Sequence, residues 1–350
     1  MLLLKRLYKA AILSVGLACV GQASTAVGQE TKIRFTLDWR IEGPAAPFLL
    51  ALEKGYFKAQ KLNVVIEPGK GSAAAIGLLA QGEFQMGFAD VNTLIEQVGN
   101  GGAMPVQAVY MVYNTSPAAI FSLKKSGFSD KSFGVAKLAD LKGKTVGGPA
   151  FDGARKAWPI LARAQNLPVD FLLWKSVDPS ARESTLIQGQ VDAISGFYHT
   201  SYLALEERGV NAADIVAFRF ADYGVRLYGN AIMVNTKFAE QNPKAVARFL
   251  RAFNRALKQT IADPASAVTY VHRWNLGVNE GMEQRRLGIV IENHVLTPET
   301  KAQGLGAVDR KRFEASIDDV VAAYGLKSRP DGEALFSSSY LPAAKERAVR

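Results

Sequence analysis

The sequence holds a single cysteine in 350 residues, Cys19, close to its start. A chain trimmed beyond that point has no thiol, which excludes disulfides, a cysteine nucleophile and cysteine-ligated metals together. Histidine is nearly as scarce: His199, His272 and His294 are the only three. They have no carboxylate pair beside them in sequence, so no metal site is expected. There is no G-x-S-x-G, no H-E-x-x-H, no complete G-x-x-x-x-G-K-[ST] phosphate loop and no dinucleotide fingerprint. Gly69-Lys70-Gly71-Ser72 lacks the full phosphate-loop spacing. The expectation is a protein without enzymatic activity and without a cofactor. No RNP, zinc-finger or helix-turn-helix signature points to nucleic acid.

A long apolar run is also missing. Ala10 to Val20 is too short to span a bilayer, but it follows Lys5, Arg6 and Lys9 and precedes the small residues Ala23, Ser24 and Ala26. This pattern predicts an export signal over residues 1–28. Cleavage is the favoured outcome. Gly16-Leu17-Ala18-Cys19 leaves lipid anchoring at Cys19 as the alternative, although a lipoprotein box wants leucine where Gly16 stands. Loss of the three early basic residues lowers the net charge from +10 to +7. The remaining positive charge is scattered rather than clustered, which suits solubility better than a charged surface partner. About 320 residues suffice for two modest domains.

What is present has the rhythm of alternating strands and helices. Ile33, Phe35 and Leu37 alternate with polar residues, Phe48, Leu49, Leu52 and Phe57 recur at helical spacing, and Leu62, Val64 and Ile66 alternate again. Such a βαβ unit forces a parallel sheet with a right-handed crossover. Ligands of open parallel sheets sit beyond the carboxyl ends of the strands, which puts Asp38, Trp39 and Glu42 in the first candidate binding loop. Further strands are expected over Gln85–Asp90, Val106–Tyr113 and Ala118–Lys124. After a polar stretch at Lys125–Lys144, the strand–helix–strand order repeats through Gly196, and Ala231–Val234 returns as a strand. Asn242-Pro243 and Asp263-Pro264 each start a helix. The predicted organisation is 29–124 and 229–325 in one lobe, 125–228 in the other, and a C-terminal tail at 326–350.

Leu37-Asp38-Trp39, the helix ending Leu52-Glu53-Lys54-Gly55-Tyr56-Phe57, and Gln81-Gly82-Glu83 before Met86-Gly87-Phe88-Ala89-Asp90 together resemble the NMT1/THI5-like group of periplasmic substrate-binding proteins. That group includes nitrate, sulfonate, taurine and thiamine-pyrimidine binders. The resemblance covers roughly Lys32 to Tyr324. It implies an α/β, type II periplasmic-binding-protein fold, two βα lobes joined by a two-crossing hinge, with a small-molecule ligand in the cleft. It also implies a monomer that delivers its ligand to an ABC permease in the inner membrane. The Asp-Trp pair leans toward the thiamine-pyrimidine branch. Fungal members make the thiamine pyrimidine with a pattern that includes a Cys-rich motif, which this chain lacks.

The candidate ligand residues follow from strand ends and from that resemblance. Trp39 could stack on a flat heterocycle or cap the sheet. Glu42 could accept from an exocyclic amine or face solvent. Ser72 could open an anion-binding helix terminus or simply cap it. Asp90 could cap a helix or touch ligand, with Asn92 beside it. Tyr113 and Asn114 end the fourth strand, and Asp152 and Gly153 open a helix across the hinge. Phe197, Tyr198 and His199 form a loop on the opposite wall, and Tyr223, Tyr228 and Asn230 lie near the second crossing. The aromatic set suits a pyrimidine ring. A small anion (sulfonate, taurine, nitrate or aromatic carboxylate) is the alternative ligand, and pyrimidine synthesis on the same fold is the alternative class.

Overall fold

The computed structural model describes residues 30–102, 104–125, 132–150 and 152–349. The expected export signal and Cys19 lie outside the described residues. Among the described residues no helix is long and apolar enough to cross a membrane.

Strand β1 (Thr31–Thr36) buries Ile33 and Phe35 and exposes Lys32 and Arg34, as its alternation demands. Helix α1 (Ala46–Glu53) follows. The helix expected to run through Phe57 breaks at Gly55, whose φ of +69° belongs to the left-handed region that glycine enters freely, and a short α2 (Tyr56–Ala59) resumes. Strand β2 (Leu62–Glu67) pairs parallel with β1 along its whole length. Then come α3 (Ser72–Gln81), β3 (Met86–Asp90), α4 (Val91–Gly99) and β4 (Val106–Met111).

The chain crosses next to a second sheet. It contributes β5 (Ala118–Leu123), β6 (Thr145–Gly147), α5 (Gly153–Ala164), β7 (Leu173–Lys175), α6 (Arg182–Ile187), β8 (Ala193–Phe197), α7 (Tyr198–Glu207) and β9 (Ile215–Arg219). It then returns as β10 (Asn230–Asn235). The helical remainder comprises α8 (Thr236–Gln241), α9 (Pro243–Ala262), α10 (Pro264–Trp274), α11 (Glu280–Val290), α12 (Pro298–Gln303) and α13 (Arg310–Tyr324).

The two sheets share one plan. The first has the order β2-β1-β3-β10-β4 and the second β7-β6-β8-β5-β9. In each, four strands run parallel and one is inserted antiparallel: β10 between β3 and β4, and β5 between β8 and β9. Ala118–Leu123 was expected in the first lobe. Its pairing with β8 and β9 puts the first crossing at residues 112–117, ahead of the Lys125 boundary. The polar texture after Lys125 follows a strand already committed to the second sheet, so composition marked the crossing too late.

Aromatic packing holds one face of the first sheet to α1 and α9. Phe35 lies 5.3 Å from Phe249, Phe48 lies 4.5 Å from Phe253, and Phe57 lies 4.7 Å from Phe249, ring centre to ring centre. A second core runs from Leu94 and Met111 through Phe313 and Ile317 of α13 to Trp158 and Phe121 of the second sheet. Both crossings are pinned by Arg312. Its guanidinium donates to the carbonyls of Asn114 at 2.7 Å and Arg226 at 2.9 Å, and to Glu299 at 3.0 Å. Asn114 Nδ2 and the Tyr228 hydroxyl donate to the same carboxylate at 2.9 and 2.6 Å. Burial works against the charge on Glu299, yet these donors hold its pKa below the ordinary value.

Truncation at the centre of the aromatic core tests this account of stability. Phe253→Ala should cost about 3–5 kcal/mol in urea unfolding, whereas Leu276→Ala, at a side chain 78 % exposed, should change stability by no more than about 0.5 kcal/mol.

Candidate ligand-binding site

The carboxyl ends of the parallel strands in the two sheets face one another across a crevice. A cavity of about 160 Å³ lies in it, walled by the segments that follow β1, β2, β3, β4, β6, β7 and β8. From the first sheet come Asp38, Trp39, Glu42, Lys70, Ser72, Asp90 and Tyr113. From the second come Asp152, Gly153, Lys156, Arg182, Phe197 and His199.

Hydrogen-bonding partners position the carboxyls of both walls. Asp38 ends β1, and its Oδ2 accepts from Asn230 Nδ2 at 2.6 Å. Asn230 stands opposite Asp90 in the β10–β3 register, so the inserted antiparallel strand delivers that amide to the carboxyl end of β1. Asp90 accepts from the Asn92 and Thr93 amides at 2.9 and 3.1 Å and thereby caps α4. The Ser72 hydroxyl accepts from Asp90 N at 3.0 Å, and the residue before it, Gly71, takes the cap position of α3. Across the crevice Asp152 caps α5 through Arg155 N at 2.8 Å and accepts from Ser195 Oγ at 2.8 Å. Arg182, almost wholly buried, lies 3.6 Å from Asp152 and donates to Glu183 at 2.7 Å.

Burial governs the charge state. It pushes the Asp38 carboxyl up to about 7, with Asn230 opposing the rise and Asp90 and Glu42 adding to it. It pushes Asp90 up to about 6 against its backbone donors. Burial also raises Glu42, with Arg286 opposing. His199 is 5 % exposed, and burial, then His294 and Arg286, hold it neutral, well below its ordinary pKa. Its Nδ1 has no partner in the protein, and neither does the buried indole Nε1 of Trp39. The cavity wall therefore holds an indole and a neutral imidazole whose buried ring nitrogens lack protein partners, and two carboxyls able to give or take a proton near neutral pH.

Nine of the residues singled out from sequence line this cavity: Trp39, Glu42, Ser72, Asp90, Tyr113, Asp152, Gly153, Phe197 and His199. The other six do not. Asn92 turns inward, and its Nδ2 donates to the Tyr228 carbonyl at 2.7 Å. Asn114 and Tyr228 are spent on Glu299 at the crossings. Asn230 serves Asp38 from behind. Tyr198 lies under the Arg219 guanidinium at 5.3 Å and lines a separate cavity of about 270 Å³. Tyr223 packs against Phe218 with ring centres 6.1 Å apart. Tyr198 and His199 open α7 rather than forming a loop, and helical geometry turns Tyr198 out as it turns His199 in. Sequence reasoning passed over Lys70, Lys156 and Arg182. Lys70 directly precedes the glycine that caps α3, a position that signals it. Nothing local to Arg182 marks it as a cavity residue.

Comparison with known proteins extends this picture. The family model described as NMT1/THI5 like matches residues 44–267. The chain is 27% identical over 245 residues to 4-amino-5-hydroxymethyl-2-methylpyrimidine phosphate synthase THI13 of Saccharomyces cerevisiae, covering 67% of this chain and 69% of that one. It is 30% identical over 245 residues to a putative thiamine biosynthesis protein of Haemophilus influenzae, covering 67% and 71%. Among solved structures, the periplasmic aliphatic sulphonate binding protein SsuA of Escherichia coli superposes with a TM-score of 0.67 at 14% identity, over 91% of this chain and 92% of that one. The periplasmic-binding-protein fold follows. Several further relatives also carry the synthase name. These names overturn the expectation that the chain has no enzymatic activity: missing motifs exclude only the chemistries that use them.

The raised carboxyls have a signed consequence. Between about pH 4 and 7 the folded protein holds protons on Asp38 and Asp90 that the unfolded chain has released, so stability falls as pH rises through that window. Asp38→Asn, whose amide oxygen can still accept from Asn230, should flatten the fall by on the order of 1–3 kcal/mol, read from urea midpoints at pH 4.5 and 7.5. An unchanged slope would mean that Asp38 is ionised throughout.

Proposed function

We infer the function from two premises: the chain belongs to the NMT1/THI5-like family, and its crevice offers carboxyls of raised pKa beside an unpaired indole N–H. The ligand is an aminopyrimidine-type heterocycle related to thiamine precursors, held between the two sheets. The sheets act as lobes hinged at residues 112–117 and 224–229. The exported protein carries the ligand through the periplasm, as a monomer, to an ABC permease in the inner membrane.

The observation that carries this reading is the pairing of Asp38 with Trp39. An aminopyrimidine presents a ring nitrogen and an exocyclic amine on one edge. A carboxyl titrating near neutrality matches that edge in either proton state: as an acid it donates to the nitrogen, and as a carboxylate it faces the protonated ring. The Trp39 indole supplies an apolar face beside it and a donor that no protein group uses. Tyr113 and Phe197 add further ring surface to the cavity. Contacts from both sheets favour the closed state, which a permease can read.

A second reading has its own support. The synthase names of the curated relatives favour chemistry on a pyrimidine in the same crevice, with His199, Asp38 and Asp90 as its proton-handling groups. A third ligand class, a small anion, is supported by Lys70, the amino end of α3 and Arg182.

A thermal-shift panel separates the three. A ligand at about 100 times its Kd adds about 2.7 kcal/mol to stability. The expected result is a rise in melting temperature with 4-amino-5-hydroxymethyl-2-methylpyrimidine that Trp39→Ala abolishes. Shifts confined to taurine, alkyl sulfonates or nitrate, indifferent to Trp39, would move the site to Ser72 and Arg182. Appearance of a pyrimidine phosphate that was not supplied, followed by mass spectrometry, would establish the synthase reading.

A further inference from the structure

We propose that two ion-pair ties, centred on Lys156 and Arg286, join helices of the two sheets and set the closure of the crevice, so that these residues position the cavity walls before any ligand arrives. The first tie runs from α5, which follows β6, to α4, which follows β3. Lys156 Nζ donates to both carboxylate oxygens of Glu96, at 2.8 and 2.7 Å. Lys156 also lines the cavity, two residues into the helix from Ala154 and three from Gly153. The side chain that bridges the sheets is thus part of the binding wall.

The second tie is centred on Arg286 of α11, 3 % exposed. Toward the second sheet its Nη1 donates to the carbonyl of His199 at 2.9 Å, and its Nη2 lies 3.6 Å from Glu207 at the far end of α7. Toward the first sheet its Nε lies 3.1 Å from Glu283 and 3.8 Å from Glu42 in the loop after β1. Glu283 in turn accepts from the Gly43 amide in that same loop. One guanidinium therefore fixes Glu42 on one wall of the cavity and the backbone of His199 on the other. A guanidinium fork can hold several oxygens at once where an ammonium cannot. Beside it, Arg285 reaches Glu206 at 2.8 Å.

The placement of the acids supports a bridging role. Glu206 and Glu207 close α7, the end where the helix dipole disfavours negative charge. Arg208, just past the helix, offsets part of that cost by donating to the Ala204 carbonyl at 2.9 Å. Arg285 and Arg286 do so from another element, across the crevice. Around Arg286 stand three carboxylates, on Glu42, Glu283 and Glu207. Removing the guanidinium would leave them facing one another and push the walls apart.

Small-angle scattering of the purified chain without ligand tests the proposal, so its outcome is separate from that of the aminopyrimidine reading. The wild-type radius of gyration should be near the value of about 20 Å for a compact chain of this length. Lys156→Glu and Glu96→Lys should each raise it, and the double variant K156E/E96K should restore the wild-type value. Arg286→Lys should raise it with an unchanged far-UV circular dichroism spectrum. If Arg286→Lys does not fold, Arg285→Glu and Glu206→Arg, alone and combined, supply the same cycle at the more exposed end of the seam. Folded single reversals with an unchanged radius would overturn the proposal, as would an increase that the double reversals fail to reverse.

Discussion

Each sheet depends on a strand donated antiparallel by the other half of the sequence. β5 enters the second sheet directly after β4 leaves the first, and β10 returns to the first sheet after β9. A sheet interior must satisfy every backbone donor and acceptor, so without β10 the pair β3 and β4 would lose its shared ladder, and without β5 so would β8 and β9. The exchange forces the chain to cross twice, and two crossings make a hinge. It also fixes where the parallel strands end, which is why segments from both sheets converge on one cavity.

The same exchange explains the polar chemistry of the site. β10 runs against β3, so its first residue, Asn230, lies at the carboxyl end of β3 and of its neighbour β1. An amide placed there meets Asp38 at 2.6 Å. The carboxyl is thereby oriented from behind, leaving its other side to the cavity. Burial raises its pKa, and His199 in the opposite wall stays neutral for the same reason: a charge taken out of water without an opposite charge is costly.

Stability and closure rest on different interactions. The aromatic stack of Phe35, Phe48, Phe249 and Phe253 belongs to the first sheet alone, and α13 spreads a shared apolar core beneath both sheets. At the crossings, Arg312 and Glu299 fasten the hinge segments to the helical region with charge-assisted hydrogen bonds. On the cavity side, ion pairs and backbone contacts join the two sheets, with the Tyr113 ring 5.9 Å from the His199 ring beside them. Apolar packing is non-directional and broad, whereas ion pairs depend steeply on geometry, so the first suits permanence and the second suits a wall that moves.

By itself the sequence determined the elements and their order, because strand and helix periods are local and hydrophobic burial enforces them. The Asp-Pro and Asn-Pro helix starts, the strand ends bearing Trp39 and Tyr113, and the family resemblance were all readable along the chain. It also put in order the loops that wall the cavity, since they all leave the same end of the parallel strands. Tertiary structure alone decided which strand-end residues face the cavity. Asn114 and Tyr228 carry the same chemistry as residues in the cavity, yet Glu299, 71 positions beyond Tyr228, draws them to the hinge. Arg182 and Lys156 enter the cavity because α5 and α6 fold back over the strand ends, which no local pattern announces. The first crossing was misplaced for a similar reason. Ala118–Leu123 has the burial of any interior strand, and its sheet is chosen by partners some 70 and 100 residues further along the chain. Periodicity is a property of neighbours in sequence; the assignment of a side chain to ligand, hinge or core is a property of neighbours in space.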